Sequence, residues 1–268
     1  MRTKLLGLTL AAVAVAGTAA CSEGTTASAG LSFSTRRAPG SPLSASLVGG
    51  SGASASLVSA GDSTILTLGN DTIIIRSVEM VLREIELKRN DVAQCPDSLP
   101  ESDACEEFET GPVLVSLPLG NTTEASVSIA VLPGTYDELE FKIHKPSASD
   151  DAAFLAAHPD FDGVSIRVQG TYSAGGSRSD FVFTTDLDKE QERFLSPPLV
   201  VSDGTNVNVT IRVDVSTWFL NVGGTALVDP ATANKGGPNE GLVKNNIEQS
   251  IEALHDDDRD GLDDDHEE

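Results

Sequence analysis

Aromatic side chains are scarce in this 268-residue chain: nine Phe, two Tyr and one Trp. So thin a supply excludes a broad stacking platform for bases or sugar rings: Trp218-Phe219, after the last strand, reads as closing one end of the fold, with an isolated ligand contact at Trp218 as the sharper alternative. Basic residues are scarce too. Eighteen Lys and Arg face 41 Asp and Glu, a formal net charge of −23. Such a surface repels the phosphates of nucleic acids and of anionic lipids, so nucleic acid is excluded as a partner and cations are the natural electrostatic ones. The catalytic signatures are missing as well. There is no G-x-S-x-G, no H-E-x-x-H and no phosphate-cradling glycine loop. The four histidines, His144, His158, His255 and His266, have no neighbouring motif that makes any of them a general base. The chain therefore reads as non-enzymatic.

What is present begins with an address. Met1–Lys4 carries two positive charges, and the run LLGLTLAAVAVAGTAA that follows is apolar and small. This is the n-region and h-region of a signal peptide over residues 1–20, too short and too rich in Ala and Gly to span a bilayer. It ends in Ala19-Ala20-Cys21. Small residues directly before a cysteine resemble a bacterial lipobox, with Thr18 where that family usually has Leu. The resemblance implies diacylation of Cys21 and, with Ser22 rather than Asp next, the outer membrane. Three cysteines are an odd number for an exported protein. With Cys21 given to lipid, Cys95 and Cys105 bracket the polar loop CPDSLPESDAC as a disulfide staple, worth about 2–3 kcal/mol. The rival, a metal or redox site, lacks a nearby His and the C-x-x-C spacing.

Residues 21–60 are rich in Ser, Ala and Gly and poor in apolar side chains. That composition predicts a flexible tether; SASLV, repeated at 44–48 and 54–58, reads as a small duplication or as one edge strand. Period-two alternation then dominates residues 61–222. Thr64–Leu68 and Thr72–Arg76 read as a hairpin about Gly69-Asn70-Asp71, and Ser77–Arg89 as a strand with a bulge. Ser126–Lys145, SVSIAVLPGTYDELEFKIHK, reads as a hairpin about Pro133-Gly134. A further pair is Ser165–Tyr172 with Asp180–Thr185, and another Leu199–Val201 with Asn206–Val215. In the last strand Val207, Val209, Ile211, Val213 and Val215 point inward, with Asn208, Thr210, Arg212 and Asp214 outward. Asp150–His158 predicts a short helical connection. About eight short strands with turn signals between them predict an all-β, antiparallel β-sandwich. The segment LPGTYDELEFKI resembles the turn-and-strand of prealbumin-like or immunoglobulin-like bacterial envelope domains. The whole layout is similar to bacterial surface lipoproteins carrying a carbohydrate-binding-like sandwich. That resemblance implies a lipid-anchored envelope protein whose ligand is a glycan or another envelope component, or one that docks structurally on a partner protein.

Residues 223–255 read as a loop and a short amphipathic helix, with Val243, Ile247, Ile251 and Leu254 at near-helical spacing. The acidic segment 256–268 follows. It meets the template D-x-[DN]-x-[DN]-G-x5-E in one register: Asp256, Asp258, Asp260, Gly261 and Glu267. Ca2+ takes six to eight hard oxygens, and carboxylates at positions 1, 3 and 5 wrap one side of it. The Leu262 carbonyl would serve position 7, Asp264 position 9 and Glu267 position 12. The stretch resembles a thrombospondin type 3 or EF-hand-like loop, which implies weak Ca2+ binding. Asp263 departs from the apolar residue of an EF-hand. Nine of the last thirteen residues are acids, so a solvated acidic tail is the competing reading.

Overall fold

The computed structural model describes residues 27–35, 55–59, 62–89, 106–107, 111–120 and 123–264. The signal segment, Cys21, Cys95, Cys105, His266 and Glu267 lie outside them. The described residues form an all-β sandwich of a four-stranded and a nine-stranded sheet, with two α-helices. Both sheets contribute to one apolar core, Leu31, Phe33, Val209 and Ile211 from the smaller, Ile75, Met80, Phe141 and Val168 from the larger.

The large sheet is built on one long strand. After β1 (Ala27–Ser34), β2 (Ala55–Ser59) and β3 (Thr64–Leu68), strand β4 runs unbroken from Asp71 to Arg89. It pairs with β3 as predicted, with Gly69-Asn70 as a two-residue turn. Its ladder to β8 (Gly134–Ile143) shifts register between Arg83 and Glu86, and Glu84 sits there at φ 53°. The bulge lets the helix-like spacing of Val78, Leu82 and Ile85 coexist with strand geometry, since all three are buried. Strands β5 (Glu106–Glu107) and β6 (Val113–Ser116) also pair with β4. Strands β9 (Ile166–Ala174) and β10 (Ser177–Thr185) form the predicted hairpin about Gly175-Gly176. A short helix, α1 (Ala152–Ala157), occupies the expected connection.

Two of the expected hairpins are crossovers instead. Strand β7 (Thr123–Val131) pairs antiparallel with β1 in the small sheet, whereas β8 pairs with β4 and with β11 (Lys189–Val201) in the large one. Pro133-Gly134 therefore carries the chain from one sheet to the other. At this crossing the Arg89 guanidinium donates to the Pro133 carbonyl at 2.9 Å and packs closely over Gly134, where a Cβ would push the arginine aside. Alternation on both sides of a turn specifies two strands but not that they pair with each other. The same holds for Ser202–Thr205, which joins β11 in the large sheet to β12 (Asn206–Val213) in the small one.

The N-terminal expectation also changes. Residues 27–34, assigned by composition to a tether, form an interior strand of the small sheet, whose order is β13-β12-β1-β7. Strand β1 pairs in parallel with β12, Leu31 opposite Val209 and Phe33 opposite Ile211. In ASAGLSFS the residues Ala27, Ala29, Leu31 and Phe33 alternate with Ser and Gly, so the period-two signal is present at small volume.

The C-terminal helix is shorter than expected. Helix α2 spans Glu240–Glu248 and buries Val243 and Ile247. Ser250 then donates through Oγ to the Ile247 carbonyl (2.8 Å), and Ile251–His255 becomes β13 along β12. Ile251 and Leu254 belong to this strand rather than to the helix, because the open edge of β12 offers a ladder.

Candidate metal centre

Strand alternation builds the site. On β12, Val209, Ile211 and Val213 fill the core, and Asn208, Thr210 and Arg212 take the other face. That face was expected to meet water, yet Asn208 and Thr210 are buried. What covers it is the acidic segment. As β13 ends, the Asp256 N–H donates to the Asn208 carbonyl (3.3 Å), and Asn208 Nδ2 returns a bond to the Asp256 carbonyl (2.8 Å). Ser32 Oγ donates to Asn208 Oδ1 at 2.8 Å. The polar face of β1 and β12 is thus the seat of the C-terminal loop.

Asp256 is the keystone of this seat and has no exposed surface. Its Oδ1 accepts from the Asp260 N–H (2.9 Å) and its Oδ2 from the Gly261 N–H (3.0 Å). Burial pushes its carboxyl above the ordinary carboxylate range, against the lowering pull of the Thr210 hydroxyl and of those two N–H groups. Asp258 Oδ1 accepts from the Asp260 N–H (3.0 Å), and Asp260 Oδ1 from the Leu262 N–H (2.7 Å). Gly261, at φ 82°, turns the chain against the sheet. A Cβ there would lie 2.8 Å from Ser34 Oγ and 2.9 Å from Thr123 Oγ1.

One oxygen each from Asp256, Asp258 and Asp260 falls within a 4.8 Å cluster, so these three carboxylates could hold a metal ion. The donors are all hard oxygens: Asp258 is exposed, Asp260 half-buried, and Asp256 shielded by the sheet. Of the residues expected to complete the loop, Leu262 lies next to the cluster in sequence and Glu267 is outside the described residues. Asp264 is placed elsewhere: its Oδ2 accepts from the Asp257 N–H at 2.7 Å.

Trp218 is not a ligand platform. It has no exposed surface, its Nε1 donates to Ser250 Oγ at 2.8 Å, and its carbonyl accepts from Asn246 Nδ2 at 3.0 Å. A ring buried on both faces cannot stack on a sugar. Its neighbour Phe219 packs edge-on against Phe181 and Phe183, with centroids 5.9 and 5.3 Å away.

A separate open groove of about 800 Å3 is lined by Arg76, Glu79, Ser116, Glu124, Arg167 and Gln169 among others. Arg167 is held there by Glu79 (2.8 Å) and Asp160 (3.1 Å), and the bond it donates to Glu79 foremost raises its guanidinium above the ordinary value. Nothing in the local sequence marks this groove, because its residues come from β4, β7, β9, the end of β6 and the segment after it. No protein-family model, curated protein or solved structure matches the chain.

Proposed function

We propose that the protein is a lipid-anchored, non-enzymatic binding protein of the cell envelope whose C-terminal loop binds Ca2+ and thereby locks the small sheet. The observation that carries this reading is the convergence of the Asp256, Asp258 and Asp260 carboxylates over β1 and β12. Three like charges in so small a space repel one another. A divalent cation offsets that repulsion and the cost of burying Asp256 together. Hard oxygens at alternate positions and a tight turn at Gly261 favour Ca2+, with the Leu262 carbonyl and Glu267 as further ligands. The expected dissociation constant is that of extracellular modules, about 10⁻⁴–10⁻³ M.

The anchor and the fold are then close neighbours. Six residue steps separate Cys21 from Ala27, the first residue of β1. Fully extended they reach about 20 Å. A lipidated Cys21 would hold the sandwich near the membrane surface rather than on a long stalk.

For the ligand, the groove between Arg76 and Arg167 replaces Trp218 as the favoured site. Planar Arg, Glu and Gln side chains suit the hydroxyl pairs of a glycan. A glycan array in millimolar Ca2+ tests this. Specific binding lost in Arg76→Ala supports it, and a silent array removes it. One observation favours the alternative, docking on a partner envelope protein: β11 has one ladder partner among the described strands and carries Phe194 and Val200, 73 % and 64 % exposed.

A further inference from the structure

The acidic segment that follows β13 presents two sets of side chains. Residues 256, 258 and 260 gather over the β1/β12 face. His255, the last residue of β13, and Asp257, where the chain bends away from the strand, belong to the second. Asp264 joins them after the turn at Gly261. One ring nitrogen of His255 and one oxygen each of Asp257 and Asp264 lie within 4.8 Å of one another. His255 Nε2 is 3.3 Å from Asp257 Oδ2.

This is a different donor set from the first. It contains an imidazole, and the first does not. Both carboxylates are oriented by main-chain donors: Asp257 Oδ1 accepts from the Asn208 N–H (2.8 Å), and Asp264 Oδ2 from the Asp257 N–H (2.7 Å). Those bonds leave Asp257 Oδ2 directed at the ring. His255 is fixed by its place in the ladder opposite Val209 and its side chain is 26 % exposed, so one side of the trio is open to a small ion.

We propose that His255, Asp257 and Asp264 form a second metal site that takes a borderline divalent cation of the Zn2+ type. One nitrogen and two oxygens supply three of the four ligands of a tetrahedral ion, with water in the fourth position. Imidazole selects against Ca2+ and Mg2+, which take oxygen ligands almost alone. The two sites share the loop but no ligand among the residues placed here, so each can fill without the other. This assignment does not depend on the identity of the ion at Asp256, Asp258 and Asp260.

The test is titration of the full chain with Zn2+ in 10 mM Ca2+, followed by calorimetry and by the ring nitrogen resonances of the four histidines. One equivalent is expected to shift the His255 ring signals. His255→Gln should weaken Zn2+ binding at least tenfold, and Asp257→Asn should do the same, which guards against a folding defect in either variant. Asp258→Asn should leave Zn2+ affinity within twofold while weakening Ca2+. His266→Gln should change nothing, which separates this site from the nearby C-terminal histidine. Unchanged Zn2+ affinity in His255→Gln, or loss of Zn2+ to an equal concentration of Ca2+, would overturn the proposal and leave the trio as an ion pair with an adjacent acid. Absence of Ca2+ heats with the Zn2+ results intact would instead remove only the calcium reading.

Discussion

Gly261 and Trp218 show how much a single residue reveals in sequence. Gly261 was legible, because the calcium template demands a residue that tolerates a sharp turn, and the backbone there has φ 82°. What the template omits is the wall behind it, Ser34 and Thr123. Gly261→Ala should therefore cost about 2 kcal/mol or more, from left-handed strain plus the contact, read as a lower urea midpoint. A change below about 0.5 kcal/mol would mean that the loop does not seat on the sheet. Trp218 admits two readings in sequence, closing the sandwich end or meeting a ligand, because a lone Trp after a strand looks the same whether it faces core or water; the structure favours the first. With no exposed surface and a bond to Ser250, Trp218→Ala should destabilise by about 3–5 kcal/mol in chemical denaturation. A near-neutral result would contradict the core assignment.

Elements were legible where a local turn closes them. The turns at Gly69-Asn70 and Gly175-Gly176 pair adjacent strands, and both hairpins follow from a few neighbouring residues. Partnership across sheets is non-local, which is why Pro133-Gly134 reads as a hairpin and proves to be a crossover. The seat for the acidic loop was hidden for the same reason. Asn208 and Thr210 alternate correctly with valines, but only the return of residues 256–264 decides that they are covered.

Helix α2 is pinned in a way that pH can release. Asp186, between β10 and β11, accepts from Lys244 Nζ of α2 (2.6 Å) and from Lys235 Nζ (2.9 Å), and these bonds hold its carboxyl down at about 2. A depressed acid stabilises the fold above its unfolded value near 4 and loses that contribution as pH falls toward 2. Allowing for screening of the exposed Lys235, the contribution is about 1–2 kcal/mol at neutral pH. Asp186→Asn should lower stability by that amount at pH 7, with the gap to wild type narrowing between about pH 4 and pH 2. A gap independent of pH would assign the loss to packing instead.

At the scale of the molecule, the boundary of the folded body moves. Leu31 and Phe33 are buried between β12 and β7, so a fragment starting at residue 61 lacks an interior strand of the small sheet. That fragment should fail to give a cooperative thermal transition, whereas residues 22–268 should give one. Equal transitions from both would contradict the place of β1. The composition of residues 21–60 concealed this, because Ser, Ala and Gly can line a closely covered strand as well as a linker. With β1 included, the described fold has its N-terminal strand beside the strand that receives the C-terminal loop, and an ion held at Asp256, Asp258 and Asp260 would tie both to one face.

Thermal unfolding of the mature chain with and without 10 mM Ca2+ tests that claim most directly. For a dissociation constant of about 10⁻⁴–10⁻³ M, ligand linkage supplies about 1.4–2.7 kcal/mol, a rise in Tm of roughly 3–10 °C. Wild type should show this rise and Asp258→Asn should lose it. No rise, or the same rise in Asp258→Asn or with 10 mM Mg2+, would contradict it.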